Sequence, residues 1–233
     1  MKALATPVFE PWIEKRCGFE GLNRPAKLND FEADKSLGKG AYGKVIQVKS
    51  KNSGKLYAMK VVAKKTIENH NMKDQLRNEI SIMSKLSHPR IINLETIFED
   101  QKNIYLVMEL AEEKHLYARL QEAKKFDEAT AAKSAFDVFQ AVEYMHNQNP
   151  PIIHRDIKPE NILYSGGHLK LADFGWSNLK DKVRTTFCGT PEYLAPEMLL
   201  EKGHNEKLDV WTLGVLLYEM LVGKAPFSPE GKD

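Results

Sequence analysis

The chain has 233 residues, 42% of them hydrophobic and 28% charged, with a mean hydropathy of −0.46. That length and balance suit one or two globular domains with their own cores and exclude a disordered or low-complexity chain. The 34 basic and 32 acidic side chains leave a net charge of +2. They are scattered, so the clustered basic face of a nucleic-acid binder is not expected. Cys17 and Cys188 lie far apart, which is no disulfide framework and points to a reducing compartment. The opening MKALATPVFEPW has neither the continuous apolar stretch of a secretory leader nor a Met-Gly start.

Residues 1–30 carry Pro7, Pro11, Gly18, Gly21 and Pro25 and read as an extension outside the fold. Phe9, Trp12 and Phe19 are its side chains suited to packing on a neighbouring surface, although a loose tail is the expectation. Strand patterns dominate from residue 31 to about residue 108. They open on GKGAYGKV at 38–45, which fits two phosphate cradles at once. Gly38, Gly40 and Gly43 match G-x-G-x-x-G, while Gly38, Gly43 and Lys44 match most of G-x-x-x-x-G-K. Either way, glycine lets backbone N–H groups approach phosphate oxygens closely. The flanks decide. Val45 stands where the second pattern needs a hydroxyl for Mg²⁺, and no helix opens after the glycines. Instead come Val45-Ile46-Gln47-Val48, a turn at Asn52-Ser53-Gly54, and Leu56-Tyr57-Ala58-Met59-Lys60-Val61-Val62. The glycines therefore belong to a hairpin acting as a flap.

One helix interrupts the strands, predicted over 72–86, with Met72, Leu76, Ile80 and Met83 on one face and Glu79 beside them. NIYLVME at 103–109 is a strand. Asp127 is a candidate N-cap for a long helix ending near His146, with Ala132, Phe136, Phe139, Val142 and Tyr144 among its apolar positions. Asn149-Pro150-Pro151 stops it. The segment 210–222 is apolar nearly all round yet too short for a membrane span, so it reads as a helix buried at the centre of a domain. Strands first and helices later give an α+β chain of two lobes, and a cleft between lobes is a usual place for a ligand.

The chemistry concentrates in His154-Arg155-Asp156-Ile157-Lys158-Pro159-Glu160-Asn161. Asp173-Phe174-Gly175 begins 17 residues after Asp156, and Glu197, closing Ala195-Pro196-Glu197, lies 24 residues after Asp173. Singly each is ordinary: a lysine such as Lys60 is usually a solvated strand residue, and an aspartate before Phe-Gly a turn residue. In this order, with the flap and Lys60, the segment 31–226 resembles the eukaryotic protein kinases.

The resemblance implies a bilobal kinase-like fold: an extension over 1–30, a β-rich N-lobe over 31–111 and a mainly helical C-lobe over 112–233 lacking its closing helices. It implies ATP and Mg²⁺ as cofactors and transfer of the γ-phosphoryl group to Ser/Thr of proteins, a reaction governed by positioning and charge neutralisation. Lys60 holds the α/β-phosphates and pairs with Glu79. Asp173 and Asn161 hold the metal ions. Asp156 orients the substrate hydroxyl and accepts its proton, and Lys158 reaches the γ-phosphate, as in Ser/Thr-specific members, where Thr190 contacts both. Leu37, Gly38, Gly40 and Gly43 frame the nucleotide. Val45, Ala58 and Leu163 sandwich adenine, with Met108 as gatekeeper and Glu109 and Ala111 offering backbone hydrogen bonds. Glu160 also falls in the nucleotide set and fits a reader of basic residues. His154 resembles a packing residue of the regulatory spine, with Phe174, Met83 and Leu94. Thr186 is the regulatory phosphosite, its phosphate tied to Arg155, and Cys188 beside it is expected to be inert.

Asp173-Phe174-Gly175-Trp176-Ser177, with Arg184-Thr185-Thr186-Phe187-Cys188-Gly189-Thr190, resembles the Aurora kinases. Leu28-Asn29-Asp30-Phe31-Glu32, Gln75-Leu76-Arg77 and the segment 221–227 agree. This implies a mitotic kinase in cytoplasm and nucleus, on spindle or centrosome. It implies substrates with basic residues near Ser/Thr, an activating protein partner on the N-lobe, and a monomer with no nucleic-acid or membrane partner. Pro191-Glu192-Tyr193-Leu194-Ala195 is closer to the AGC and calmodulin-dependent pattern, which stays open as an alternative. Lys114 and His115 replace the usual glycine and acid after the hinge, leaving Glu112 and Glu113 as substitutes. The chain stops soon after the apolar helix, so Glu197 is expected to lack its arginine and the helix its cover. A nucleotide-binding fragment without turnover is the other alternative.

Overall fold

The computed structural model describes residues 13, 17–40, 43–175, 177–179, 191–200 and 205–227. By packing, the chain divides into two units, residues 1–73 with 94–110 and residues 74–93 with 111–233.

The first unit is built on an antiparallel sheet of β1 (Phe31–Gly40), β2 (Gly43–Ser50), β3 (Leu56–Ala63), β4 (Leu94–Glu99) and β5 (Asn103–Glu109), in the order β1-β2-β3-β5-β4. The runs are rich in β-branched and aromatic residues, and Asn52-Ser53-Gly54 turns β2 into β3, with Gly54 at φ 74°. A short helix, α1 (Lys64–Asn69), follows β3. The glycine segment is the expected hairpin: Gly40 pairs with Gly43 across β1 and β2, and no helix opens there.

Register sorts the side chains by face. Lys60 pairs with Val45 and with Leu106, and Ala58 with Gln47 and with Met108, so these residues share one face of the sheet. The other face carries Val48, Tyr57, Met59, Tyr105 and Val107, joined by Phe31 and Phe98 into a buried cluster. Phe98 stacks on Phe31 at 5.7 Å and on Tyr105 at 4.7 Å between centroids.

The extension is not a loose tail over its described residues. Phe19 enters the same cluster, 5.6 Å from Phe31 and 5.5 Å from Tyr57, and is 8% exposed. Glu20 accepts hydrogen bonds from Ser50 Oγ at 2.5 Å, from Tyr57 Oη at 2.8 Å and from Ser53 Oγ. Arg24 grips Asp30 through both guanidinium nitrogens at 2.8 and 2.6 Å. Proline and glycine content had hidden this, because one aromatic anchor and one carboxylate suffice to dock a segment without secondary structure. Phe9 and Trp12 lie outside the described residues.

The second unit holds α2 (Lys73–Met83, all but its first residue), α3 (Leu116–Ala123), α4 (Glu128–His146), α5 (Pro196–Leu199) and α6 (Lys207–Val222). Two small strand pairs complete it: β6 (Ile152–Ile153) with β9 (Asn178–Leu179), and β7 (Ile162–Ser165) with β8 (His168–Leu171). The inserted helix is shorter at both ends than the expected 72–86, though Leu76, Ile80 and Met83 are buried as the apolar stripe requires.

Helix α4 starts as expected, Asp127 accepting from Thr130 N at 2.7 Å. Of the expected apolar positions Val142 is buried, but the rest of the buried face differs. Ala131, Ser134, Val138, Ala141 and Met145 point inward, while Phe136 and Phe139 are 60% and 51% exposed. The small residues let α6 and β8 come close, and that spacing outweighs aromatic size. Likewise α6 buries only Leu208, Asp209, Thr212, Val215, Leu216 and Met220. Val210 and Leu217 are exposed and, with Phe139 and Val142, line a groove of about 480 Å³ between α4 and α6. The end of α6 is fixed by Gly223 at φ 89°, where a Cβ would stand 2.2 Å from the Lys124 carbonyl oxygen. Among the described residues no helix is long and apolar enough to cross a membrane.

Candidate active site

The segment 154–161 runs from β6 through an irregular loop into a 3₁₀ turn, Pro159–Asn161, and on into β7. Such a loop leaves backbone N–H groups without a ladder, and burial makes each one costly unless it is paired. Asp209 on α6 supplies the acceptors. It is fully buried, and its Oδ2 accepts from His154 N at 2.9 Å and its Oδ1 from Arg155 N at 2.9 Å. His146 Nε2 lies 2.8 Å from Oδ2. The clasp coincides with a left-handed backbone at Arg155, φ 71°, which a non-glycine residue adopts only under such constraint.

That loop presents Asp156, which is 6% exposed. Asn161 Nδ2 donates to the Asp156 carbonyl oxygen at 2.8 Å and to its Oδ2 at 2.9 Å. Lys158 Nζ lies 3.1 Å from the same Oδ2. Among the described residues both side-chain contacts fall on Oδ2, which leaves Oδ1 as the oxygen that a hydroxyl would meet. Burial holds the His154 imidazole below its ordinary pKa, against the pull of Asp209, Asp156 and Asp173. The neutral ring fits its contacts: Nδ1 accepts from Asp156 N at 3.4 Å and Nε2 faces the Ala172 carbonyl oxygen at 3.2 Å. The ring stands edge-on to Phe174, 5.1 Å away. His154 is thus a packing residue in contact with Phe174. Met83 is buried at the end of α2, and Leu94 opens β4 in the other unit.

Asp173 is exposed, at φ 60°, and its Oδ1 accepts from Gly175 N at 3.3 Å. Gly175 is the meeting point of two carboxylates: a Cβ there would lie 3.2 Å from Asp173 Oδ1 and 3.8 Å from Glu79 Oε2. Two further side chains of α2 hold this stretch, Gln75 donating to Gly175 O at 2.7 Å and Asn78 to Ser177 O at 2.9 Å. The second unit thus gathers Glu79 with Asp173 and Asp156 with Lys158 and Asn161. Leu163 lies on β7, bridged to His115, and Glu160 is exposed in the 3₁₀ turn. Ala111 belongs to the same unit, ahead of α3. Glu113 is engaged by Arg119 and by Gly167 N at 3.3 Å, whereas Glu112 is exposed. Glu197 is half-buried on α5 rather than enclosed.

In the first unit, Val45, Ala58, Lys60 and Met108 share the sheet face described above, and Glu109 ends β5. The glycines separate by role. A Cβ on Gly43 would stand 2.4 Å from the Val61 carbonyl oxygen, so the hairpin itself demands that glycine. A Cβ on Gly38 would meet nothing within 4 Å, and Leu37 beside it is 42% exposed. Trp176, Thr186, Cys188 and Thr190 lie outside the described residues.

The sequence reading missed Asp209, Gln75 and Asn78 as positioning groups. The signal for Asp209 was an acid at the head of an otherwise apolar helix. Gln75 and Asn78 carried none, since amides on an amphipathic helix read as solvated.

A hairpin-bearing β-sheet unit followed by a helical unit with such a loop is the architecture of a protein kinase domain, and residues 31–233 match that family, described as the protein kinase domain. The chain is 45% identical over 221 residues to the Aurora/IPL1-related protein kinase 2 of Caenorhabditis elegans, covering 92% of this chain and 72% of that one. It is 47% identical over 207 residues to the Aurora kinase of Schizosaccharomyces pombe, with 88% and 58% covered. It is 44% identical over 210 residues to the Aurora kinase of Eremothecium gossypii, with 89% and 57% covered. The chain belongs to the protein kinase family, on its Aurora branch. It spans little more than half the length of most of these curated relatives.

Proposed function

We propose that the protein is a Ser/Thr kinase that transfers the γ-phosphoryl group of ATP to proteins with basic residues near the acceptor. The observation that carries this is the Asp156 carboxylate, buried, held on Oδ2 by Asn161 and Lys158, on a loop clasped by Asp209. Oδ1 is left to receive the proton of a Ser/Thr hydroxyl, and Lys158 Nζ beside it offers positive charge to the phosphoryl oxygens. Lys60 is the phosphate-binding lysine of the sheet, and the face of Val45, Ala58 and Met108 suits adenine. Asn161 spends its amide nitrogen on Asp156, so its carbonyl oxygen is the atom a cation would meet. That oxygen and the Asp173 carboxylate are hard donors suited to Mg²⁺, which commonly takes one or two protein oxygens and completes its shell with phosphates and water. When bound, the ion neutralises charge on the phosphates.

The Aurora likeness favours a mitotic role, on the spindle or centrosome, with a protein partner activating the N-lobe and Thr186 as the activating phosphosite. The test is transfer of labelled γ-phosphate from Mg²⁺-ATP to a basic Ser/Thr peptide. Transfer that falls by about 10²–10⁴ in Asp156→Asn and vanishes in Asp173→Asn supports the reading. Undiminished transfer in either variant, or none by the parent chain, overturns it. Thr186→Ala is expected to lower transfer strongly.

A further inference from the structure

The carboxylate of Glu20 is the clasp between the segment 17–30 and the sheet, and its partners are Ser50 at the end of β2, Ser53 in the β2–β3 turn and Tyr57 on β3. Two of them are serines, and they differ. Ser50 is 2% exposed, whereas Ser53 is exposed at the tip of the turn. Ser53 is flanked by exposed lysines at Lys49, Lys51 and Lys55, in the run Lys49-Ser50-Lys51-Asn52-Ser53-Gly54-Lys55. The clasp also holds Glu20 at φ 48°, a left-handed conformation that a glutamate leaves readily once its contacts go.

We infer that Ser53 is a phosphate-acceptor site, and that its phosphate opens the Glu20 clasp and frees residues 17–30 from the sheet. The surroundings give both halves of the argument. An exposed turn serine among lysines is the substrate class of basic-directed Ser/Thr kinases. That this chain modifies itself there rests on the proposed function; modification by another such kinase does not. In the reaction a bond forms from Ser53 Oγ to the γ-phosphorus of ATP, and the bond from that phosphorus to the β–γ bridging oxygen breaks. The hydroxyl proton passes to the carboxylate base of the modifying kinase, and ADP leaves.

The product removes the Ser53 O–H that Glu20 now accepts from and sets a group of about −2 charge against the Glu20 carboxylate. Ser50, Tyr57 Oη and Asn52 Nδ2, which donates to Glu20 O at 3.1 Å, remain. They are neutral donors. Lys55 Nζ is turned to Glu95 at 3.9 Å and to the Tyr57 ring, and the exposed Lys49 and Lys51 screen the new charge through water, which is weaker than like-charge repulsion at contact distance. Phe19 then leaves its place between Phe31 and Tyr57.

The experiment incubates the full chain with Mg²⁺-ATP, alone and with an added basic-directed Ser/Thr kinase, a basic Ser/Thr peptide being present in each tube. Phosphate is mapped by mass spectrometry, and hydrogen exchange is followed at Gly18, Gly21 and Leu22, whose amides are bonded within the docked segment. The expected result is phosphate on Ser53 and none on Ser50, with exchange at those amides about tenfold faster. In Glu20→Gln, which keeps the acceptor and removes the charge, the phosphate should change exchange less than about twofold. Ser53 left unmodified by the added kinase while the peptide is modified overturns the proposal. So does phosphorylated Ser53 with unchanged exchange. A chain that modifies nothing by itself, yet is modified at Ser53 by the added kinase with faster exchange, overturns the proposed function and upholds this inference.

Discussion

Asn161 holds Asp156 at both of its ends, donating from one amide nitrogen to the backbone carbonyl oxygen at 2.8 Å and to the carboxylate at 2.9 Å. Asn161→Ala removes both bonds from a buried site. The expected cost is about 1–3 kcal/mol of stability, with phosphate transfer falling by about 10²-fold or more because Asp156 is no longer aimed. Thermal melting and single-turnover kinetics, run side by side, separate the two effects.

Asp209 predicts a different outcome. Asp209→Ala strands the amides of His154 and Arg155 inside the protein, at about 1–3 kcal/mol each. Urea unfolding should therefore show a loss of about 2–6 kcal/mol. Asp209→Asn keeps one oxygen acceptor and should lose clearly less; equal losses would mean that the charge, not the pairing of amides, holds the loop.

The glycine hairpin yields a paired prediction. Gly43→Ala forces a Cβ to within 2.4 Å of the Val61 carbonyl oxygen, so it should lower the melting temperature by several degrees. Gly38→Ala enters open space and should leave melting unchanged while weakening nucleotide affinity. Calorimetry with and without ATP reads both.

Docking of residues 17–30 should depend on pH. Burial pushes the Glu20 carboxyl up, but hydrogen bonds from Ser50, Ser53, Tyr57 and Asn52 favour its ionised form and bring it below its ordinary value of 4.5. The docked value is the lower one, so the stabilisation is complete above 4.5 and is lost as pH falls through the docked value. An amide NMR titration of Gly21 from pH 6 downward should report release only in that acidic window, and Glu20→Gln should flatten it.

The fold was legible where periodicity and punctuation agree. The strand-turn-strand flanks of the glycines and the Asp127 cap are local signals, and both appear as read. The long-helix stripe was legible only in part, at Val142, because Phe136 and Phe139 outrank Ala131, Ser134 and Ala141 in hydrophobicity, whereas packing rewards the small residues that admit a neighbour. The order of Asp156, Lys158 and Asn161 identified the loop from sequence. What shapes that loop was hidden, since Asp209 acts through backbone amides and leaves no mark on the residues it holds.

That clasp also sets a timetable. Asp209 comes 55 residues after His154 and 54 after Arg155. At a synthesis rate of about 5–20 residues per second, the loop waits several seconds in the nascent chain for its acceptor. The sheet unit, whose strands are all complete by residue 109, has no such wait. The reactive loop therefore sets later than the sheet unit, and a ribosome stalled between residues 161 and 209 would carry every residue of the catalytic segment in a form that has not yet acquired its shape.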